Sequence, residues 1–129
     1  MRITEDWGNG AYSFRLGWGE WQELDTLLQV GPQELYERLL RGKAHYNWPR
    51  EIIRCGLVGA GMDPGQALKL VRLYCEQREI LDNTAIALKI VQAALFTPEN
   101  AKDDHPGEAE ATAMNSAAST SPSPSGTLQ

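Results

Sequence analysis

The sequence predicts a mainly α fold with a small N-terminal β-hairpin. This is an α+β arrangement in which about five short helices form a compact bundle ahead of a disordered C-terminal tail. Three observations predict it. An Asn-Gly turn signal at Asn9-Gly10 separates two short runs of strand character. Apolar residues then recur at helical spacing in segments punctuated by Gly and Pro. From Pro98 onward the chain turns to Ala, Ser, Thr, Pro, Glu and Asp, with Met114 and Leu128 as its only large apolar residues.

The first elements are residues 3–7 and 11–16, with Gly8-Asn9-Gly10 between them. Tyr12, Phe14 and Leu16 alternate with Ser13 and Arg15, so one face is apolar and the other polar. A lone hairpin is marginal in water and must lie on the helices or pair with another strand, including one from another subunit. Gly17-Trp18-Gly19 breaks the strand, and a helix is expected over residues 20–29. Its apolar positions are Trp21, Leu24, Leu27 and Leu28, and Glu20, Glu23 and Asp25 favour its N-terminal end. Gly31-Pro32 ends it and opens the next helix, residues 33–40, with Leu35 and Leu39 in its stripe.

After a loop at residues 43–47, Asn47 is a candidate N-cap for a third helix beginning near Trp48-Pro49. Trp48, Ile52, Ile53, Leu57 and Val58 are its core candidates, and Gly56, Gly59 and Gly61 thin out its C-terminal end. Asp63 caps a fourth helix with Pro64 at its first position and Ala67, Leu70, Val71 and Tyr74 on one face. A fifth runs from Leu81 or Asp82 to Leu95. It is apolar around much of its circumference and is expected to be the central helix. The division is therefore one domain over residues 1–97 and an acidic Ala/Ser/Pro-rich tail over 98–129. The tail cannot bury enough apolar surface to offset its chain entropy.

Composition narrows the function classes. The formal net charge is -5, with much of the excess acid in the tail at Glu99, Asp103, Asp104, Glu108 and Glu110. No basic face dominates, so nucleic acid is not an expected partner. No apolar run approaches the length of a membrane span, and the polar start after Arg2 does not read as a secretory signal. Cys55 and Cys75 lie in helices without metal-ligand spacing and read as reduced, buried thiols of a cytoplasmic protein.

No motif carries catalytic chemistry. Gly59-Ala-Gly61-Met-Asp-Pro-Gly65 has the wrong spacing for a phosphate loop and follows a helix instead of a strand. Its glycines read as helix termination and close backbone approach. His45 and His105 have no cysteine or acid partners at zinc spacing. The acids Glu20, Glu23, Glu34 and Glu37 read as solvated helix faces, and no nucleophile has a neighbouring base. The chain is expected to be no enzyme and to hold no cofactor or metal. Its candidate partner-binding residues are the aromatics Trp7, Tyr12, Phe14, Trp18 and Trp21, with Arg50 and Arg54. The aromatics either staple the hairpin to the helices or form an exposed interface. The arginines belong to a mild basic cluster with Arg41 and Lys43 that is either a solvated face or a seat for an acidic segment.

Taken in order, these segments resemble the gene transfer agent tail-assembly chaperone-like family, also described as a tail tube family. Residues 6–16 resemble its opening hairpin, with a Gly-containing turn and an aromatic-Arg-Leu strand. Residues 20–28 resemble its EWxEL first helix, and residues 31–41 its Gly-Pro second helix. Residues 51–61 resemble its REtIRxGLiGGG segment, with Ala60 where the family often has Gly. Residues 67–74 and 83–95 complete a resemblance that covers about residues 3–97. It implies a non-enzymatic role in building a phage-like tail, as a chaperone that binds the tape-measure protein. The alternative it implies is a structural tail component, tube or completion, retained in the particle. The implied partners are the tape-measure protein and other tail proteins, with homo-oligomers open. The implied place is the cytoplasm, where particles assemble, or the particle itself. One short hairpin speaks against the strand-rich ring of a tube.

Overall fold

The computed structural model describes residues 1–97; the segment 98–129, expected to be disordered, lies outside the described residues. The elements are β1 (Ile3–Trp7), β2 (Gly10–Phe14), α1 (Trp18–Leu28), α2 (Pro32–Leu40), α3 (Trp48–Gly59), α4 (Pro64–Tyr74) and α5 (Thr84–Phe96). The fold is mainly helical with an N-terminal antiparallel hairpin, as the sequence predicts.

The hairpin pairs Ile3 with Phe14 and Trp7 with Gly10, which leaves a turn of Gly8 and Asn9. The Asn-Gly signal therefore acts one residue earlier than expected. Gly8 carries the positive φ, 61°, while Asn9 does not enter the left-handed region. A glycine at the first central position is the pattern of a II′ turn. Tertiary structure fixes the choice as well, because a Cβ on Gly8 would lie 2.8 Å from the Tyr74 ring.

The centre of the bundle is α3, where α5 was expected. α3 packs against α1, α4, α5 and β2. It buries Trp48, Pro49, Ile52, Ile53, Cys55, Gly56 and Leu57. The glycines explain this. A Cβ on Gly56 would sit 3.3 Å from Phe14, and one on Gly59 would overlap the Arg15 carbonyl oxygen. Gly56 and Gly59, three residues apart on one helix face, are thus a flat landing for the end of β2. The Arg15 N–H donates to the Gly56 carbonyl at 2.9 Å and extends the hairpin onto the helix. Close approach, one of the two roles read for these glycines, is made to a strand. Termination falls to Gly61, whose φ is 111°.

Helix ends follow local chemistry where a side chain is free to supply it. The Asp63 carboxylate accepts from the Gln66 N–H at 3.1 Å, the expected N-cap of α4. Glu20 accepts from the Gly17 N–H at 2.9 Å, half of a capping box, and α1 begins at Trp18, two residues before the expected start. α1 stops at Leu28 because Gln29 turns into the left-handed region at φ 57°. Asn47 makes no side-chain cap bond. α5 starts at Thr84, later than Leu81 or Asp82, because residues 79–84 close turns of their own: Asp82 N–H donates to Glu79 and Thr84 N–H to Leu81.

The core gathers Phe14, Leu24, Leu35, Ile52, Ile53, Leu57, Val71, Ile90 and Val91, all essentially inaccessible to solvent. Each such side chain contributes about 1.5–3 kcal/mol of burial free energy. Leu27, expected in the core, faces solvent.

Candidate functional site

The candidate partner-binding aromatics divide into three groups by position. Trp7 and Phe14 belong to the core, at 7% and 0% exposure. Their rings meet edge to face at 6.1 Å, and Trp7 meets Tyr12 at 5.6 Å and Tyr74 at 5.7 Å. Trp7 Nε1 donates to Asn83 Oδ1 at 2.8 Å, and Asn83 Nδ2 donates to the Tyr74 carbonyl at 2.9 Å. One buried asparagine thereby joins the hairpin, the end of α4 and the start of α5. Nothing local marks this role of Asn83, which the sequence places in the first turn of the expected fifth helix.

The second group is half-buried. Tyr12 and Trp21 pack against the core with one side still accessible. The third is Trp18 alone, 83% exposed at the first position of α1. Its indole faces water although flanking glycines leave the backbone room, so nothing in the described residues accounts for a large apolar ring there.

Arg50 and Arg54 serve the fold. Arg54 bonds Glu23 of α1 at 2.9 Å and Glu51 at 2.9 Å. Arg50 pairs with Glu51 and with Glu76, the latter at 2.7 Å. The chain Glu23–Arg54–Glu51–Arg50–Glu76 alternates in sign and ties α1, α3 and the end of α4 together. Burial disfavours the Arg54 charge, but its hydrogen bonds to Glu23 and Glu51 outweigh that and raise its pKa above the ordinary value. Guanidinium groups so engaged have few donors left for an acidic partner.

Burial disfavours the thiolate form of both cysteines. Burial pushes Cys55 and Cys75 up to about 12 each, against which the nearby Arg54 and Arg50 act only partly. Among the described residues no group of three or more His, Cys, Asp or Glu could hold a metal ion. No helix among them is long and apolar enough to cross a membrane.

An apolar groove lies at the N-terminal end of α3. There the loop before α3 and the loop before α5 enclose two adjoining pockets of about 270 and 140 Å³. Tyr46, Pro49 and Ile80 line both. Tyr46, Ile80 and the neighbouring Leu81 are each well over half exposed. The loop is braced from behind. His45 stacks on Trp48 at 5.3 Å, and the Arg38 guanidinium lies 5.0 Å over the same ring. Periodicity does not mark this groove in the sequence, because Tyr46 and Ile80 sit in turns. Ile80-Leu81 between Glu79 and Asp82 was the available signal: a large apolar pair in a charged turn.

The described residues thus combine exposed apolar side chains at Trp18 and at the Tyr46–Ile80 groove with an ion-pair frame between the helices. No curated protein and no solved structure matches the chain. A family model described as "Phage tail tube protein, GTA-gp10" matches residues 2–97, which takes in the hairpin and all of α1 to α5. The chain therefore belongs to this phage tail protein family.

Proposed function

We propose that this chain is a non-enzymatic structural component of a phage-like tail, retained in the finished particle. The extent of the family match carries the reading: it spans the whole described body, under a description that names a tail tube protein. Two strands per copy among the described residues do not make a tube wall alone. A wall of such units draws on helix contacts or on strands pooled between copies. Residues 1–97 act as the folded domain in this reading, and other tail proteins are its partners. Trp18 and the Tyr46–Ile80 groove are the surfaces offered to them. The chain is made in the cytoplasm and ends in the particle.

A second reading is supported by the groove. An apolar trough between two loops suits an amphipathic helix, the form a tape-measure segment would present to a tail-assembly chaperone. The two readings differ in where the chain ends up. Mass spectrometry of purified particles is expected to find it at fixed stoichiometry to other tail proteins. Its absence from particles, with co-elution of a soluble complex when it is co-expressed with the tape-measure protein, would replace the structural reading with the chaperone.

A further inference from the structure

One segment walls the groove and also holds the hairpin. Residues 75–83 connect α4 to α5, and Cys75, Glu76, Arg78, Ile80 and Asn83 line the larger pocket of the groove, about 270 Å³. Residues 76–82 are all exposed. Their backbone bonds are short-range: the Glu76 N–H donates to Val71, the Asp82 N–H to Glu79 and the Thr84 N–H to Leu81. A stretch with exposed side chains and local bonds is the kind that opens at low free-energy cost.

Two side-chain hydrogen bonds tie this segment to distant elements. At its start, Glu76 accepts from Arg50 Nε at 2.7 Å, on the exposed side. At its end stands Asn83, 8% exposed. Its Oδ1 accepts from Trp7 Nε1 at 2.8 Å, and its Nδ2 donates to the Tyr74 carbonyl at 2.9 Å. The Tyr74 ring is shared in the same way. Trp7 meets it edge to face, Gly8 lies close against it, and the Arg78 guanidinium sits 5.5 Å over it. Hairpin and segment therefore depend on the same two residues, Asn83 and Tyr74.

This sharing has an energetic consequence. If Trp7 withdraws, Asn83 Oδ1 loses its donor in a buried site. It regains one by turning to water, and the exposed residues 76–82 offer little burial to hold it back. If the segment swings out first, Trp7 Nε1 is left buried without its acceptor. Each opening removes part of the cost of the other.

We propose that residues 75–83 and the β1–β2 hairpin open and close as one unit, with Asn83 as the residue that couples them. A partner that fills the groove and holds its wall then also holds the hairpin on the helices. The device depends on no particular tail role.

The test reads the groove wall through Cys75, which lines it and is half-buried, and global unfolding through Cys55, 1% exposed. The full chain is pulse-labelled with N-ethylmaleimide at one pH, and mass spectrometry of its peptides separates the two sites. Circular dichroism verifies that each variant folds. Trp7→Phe keeps an aromatic ring and removes the donor to Asn83. It is expected to raise Cys75 labelling at least about fivefold beyond any rise at Cys55. Gly59→Ala, which displaces the hairpin at the end of α3 away from the groove, is expected to act in the same direction. In an Asn83→Ala background, Trp7→Phe is expected to add less than about twofold. The wild-type chain supplies the reciprocal reading without any substitution. Labelling Cys75 is expected to speed hydrogen exchange at the hairpin amides and to leave those of α2 unchanged. Cys75 labelling that only follows Cys55 in both hairpin variants overturns the proposal, as do hairpin amides that ignore the label. A full effect of Trp7→Phe in the Asn83→Ala background overturns the role given to Asn83.

Discussion

Trp7 and Trp18 stand at the two ends of the hairpin-to-α1 segment and meet opposite environments. Trp7 is boxed by Tyr12, Phe14 and Tyr74 and hydrogen-bonded to Asn83. Trp18 touches almost nothing and is 83% exposed. The same residue type does two kinds of work. At the seam between hairpin and helices it supplies burial and a buried polar anchor. At the start of α1 it supplies apolar area to whatever arrives from outside. The difference lies in the partners and not in the ring: three aromatic rings meet Trp7 at the seam, and none among the described residues meets Trp18.

The contrast can be broken at the seam first. Trp7→Ala should cost about 3–5 kcal/mol, because it empties a core position and strands the Asn83 amide. Denaturant unfolding followed by circular dichroism measures this. Gly59→Ala should cost about 3 kcal/mol, since the added methyl meets the Arg15 backbone oxygen and the hairpin must lift off α3. The same exchange at Gly19 of α1, where a Cβ meets nothing within 4 Å, should stabilise by about 0.5 kcal/mol. A pair of equal sign would mean that helix propensity, not approach of β2, governs both sites.

Smaller effects sharpen the other side. Gln29→Gly should stabilise by about 0.5–1 kcal/mol, because Gln29 holds φ 57° at the end of α1 and glycine relieves that strain. A loss of stability there would mean that the Gln29 amide bond to the Thr26 carbonyl matters more than the backbone. Trp18→Ser should leave the monomer's stability within about 0.5 kcal/mol. A shift in its midpoint as large as that of Trp7→Ala would make Trp18 a core residue in solution and end the contrast.

Much of the fold was legible because its signals are local. Pro32 and Pro64 open helices where a missing N–H costs nothing, and Asp63 caps α4 with its own side chain. Alternation in β2 gave the face that carries Phe14. Where the structure departs from the local signals, a distant residue decides. The turn moved to Gly8 under the Tyr74 ring. The start of α5 slid to Thr84 while the Asn83 side chain was committed to Trp7 and Tyr74. α5 looked central from its apolar composition, yet apolar surface all round a helix says how much can be covered and not by what. For the two arginines a solvated face and an acidic seat both stayed open, because two of their acids, Glu23 and Glu76, come from other elements.

The sequence by itself determined the element order, the helical class, the family and the absence of any recognisable catalytic motif. These follow from spacing, capping and turn chemistry within a few residues. Only the tertiary structure decided which aromatics are core and which are surface, that α3 is the hub, and that Tyr46 and Ile80 share a groove. Those outcomes depend on contacts between elements far apart in the chain, and a one-dimensional pattern holds no record of which faces meet.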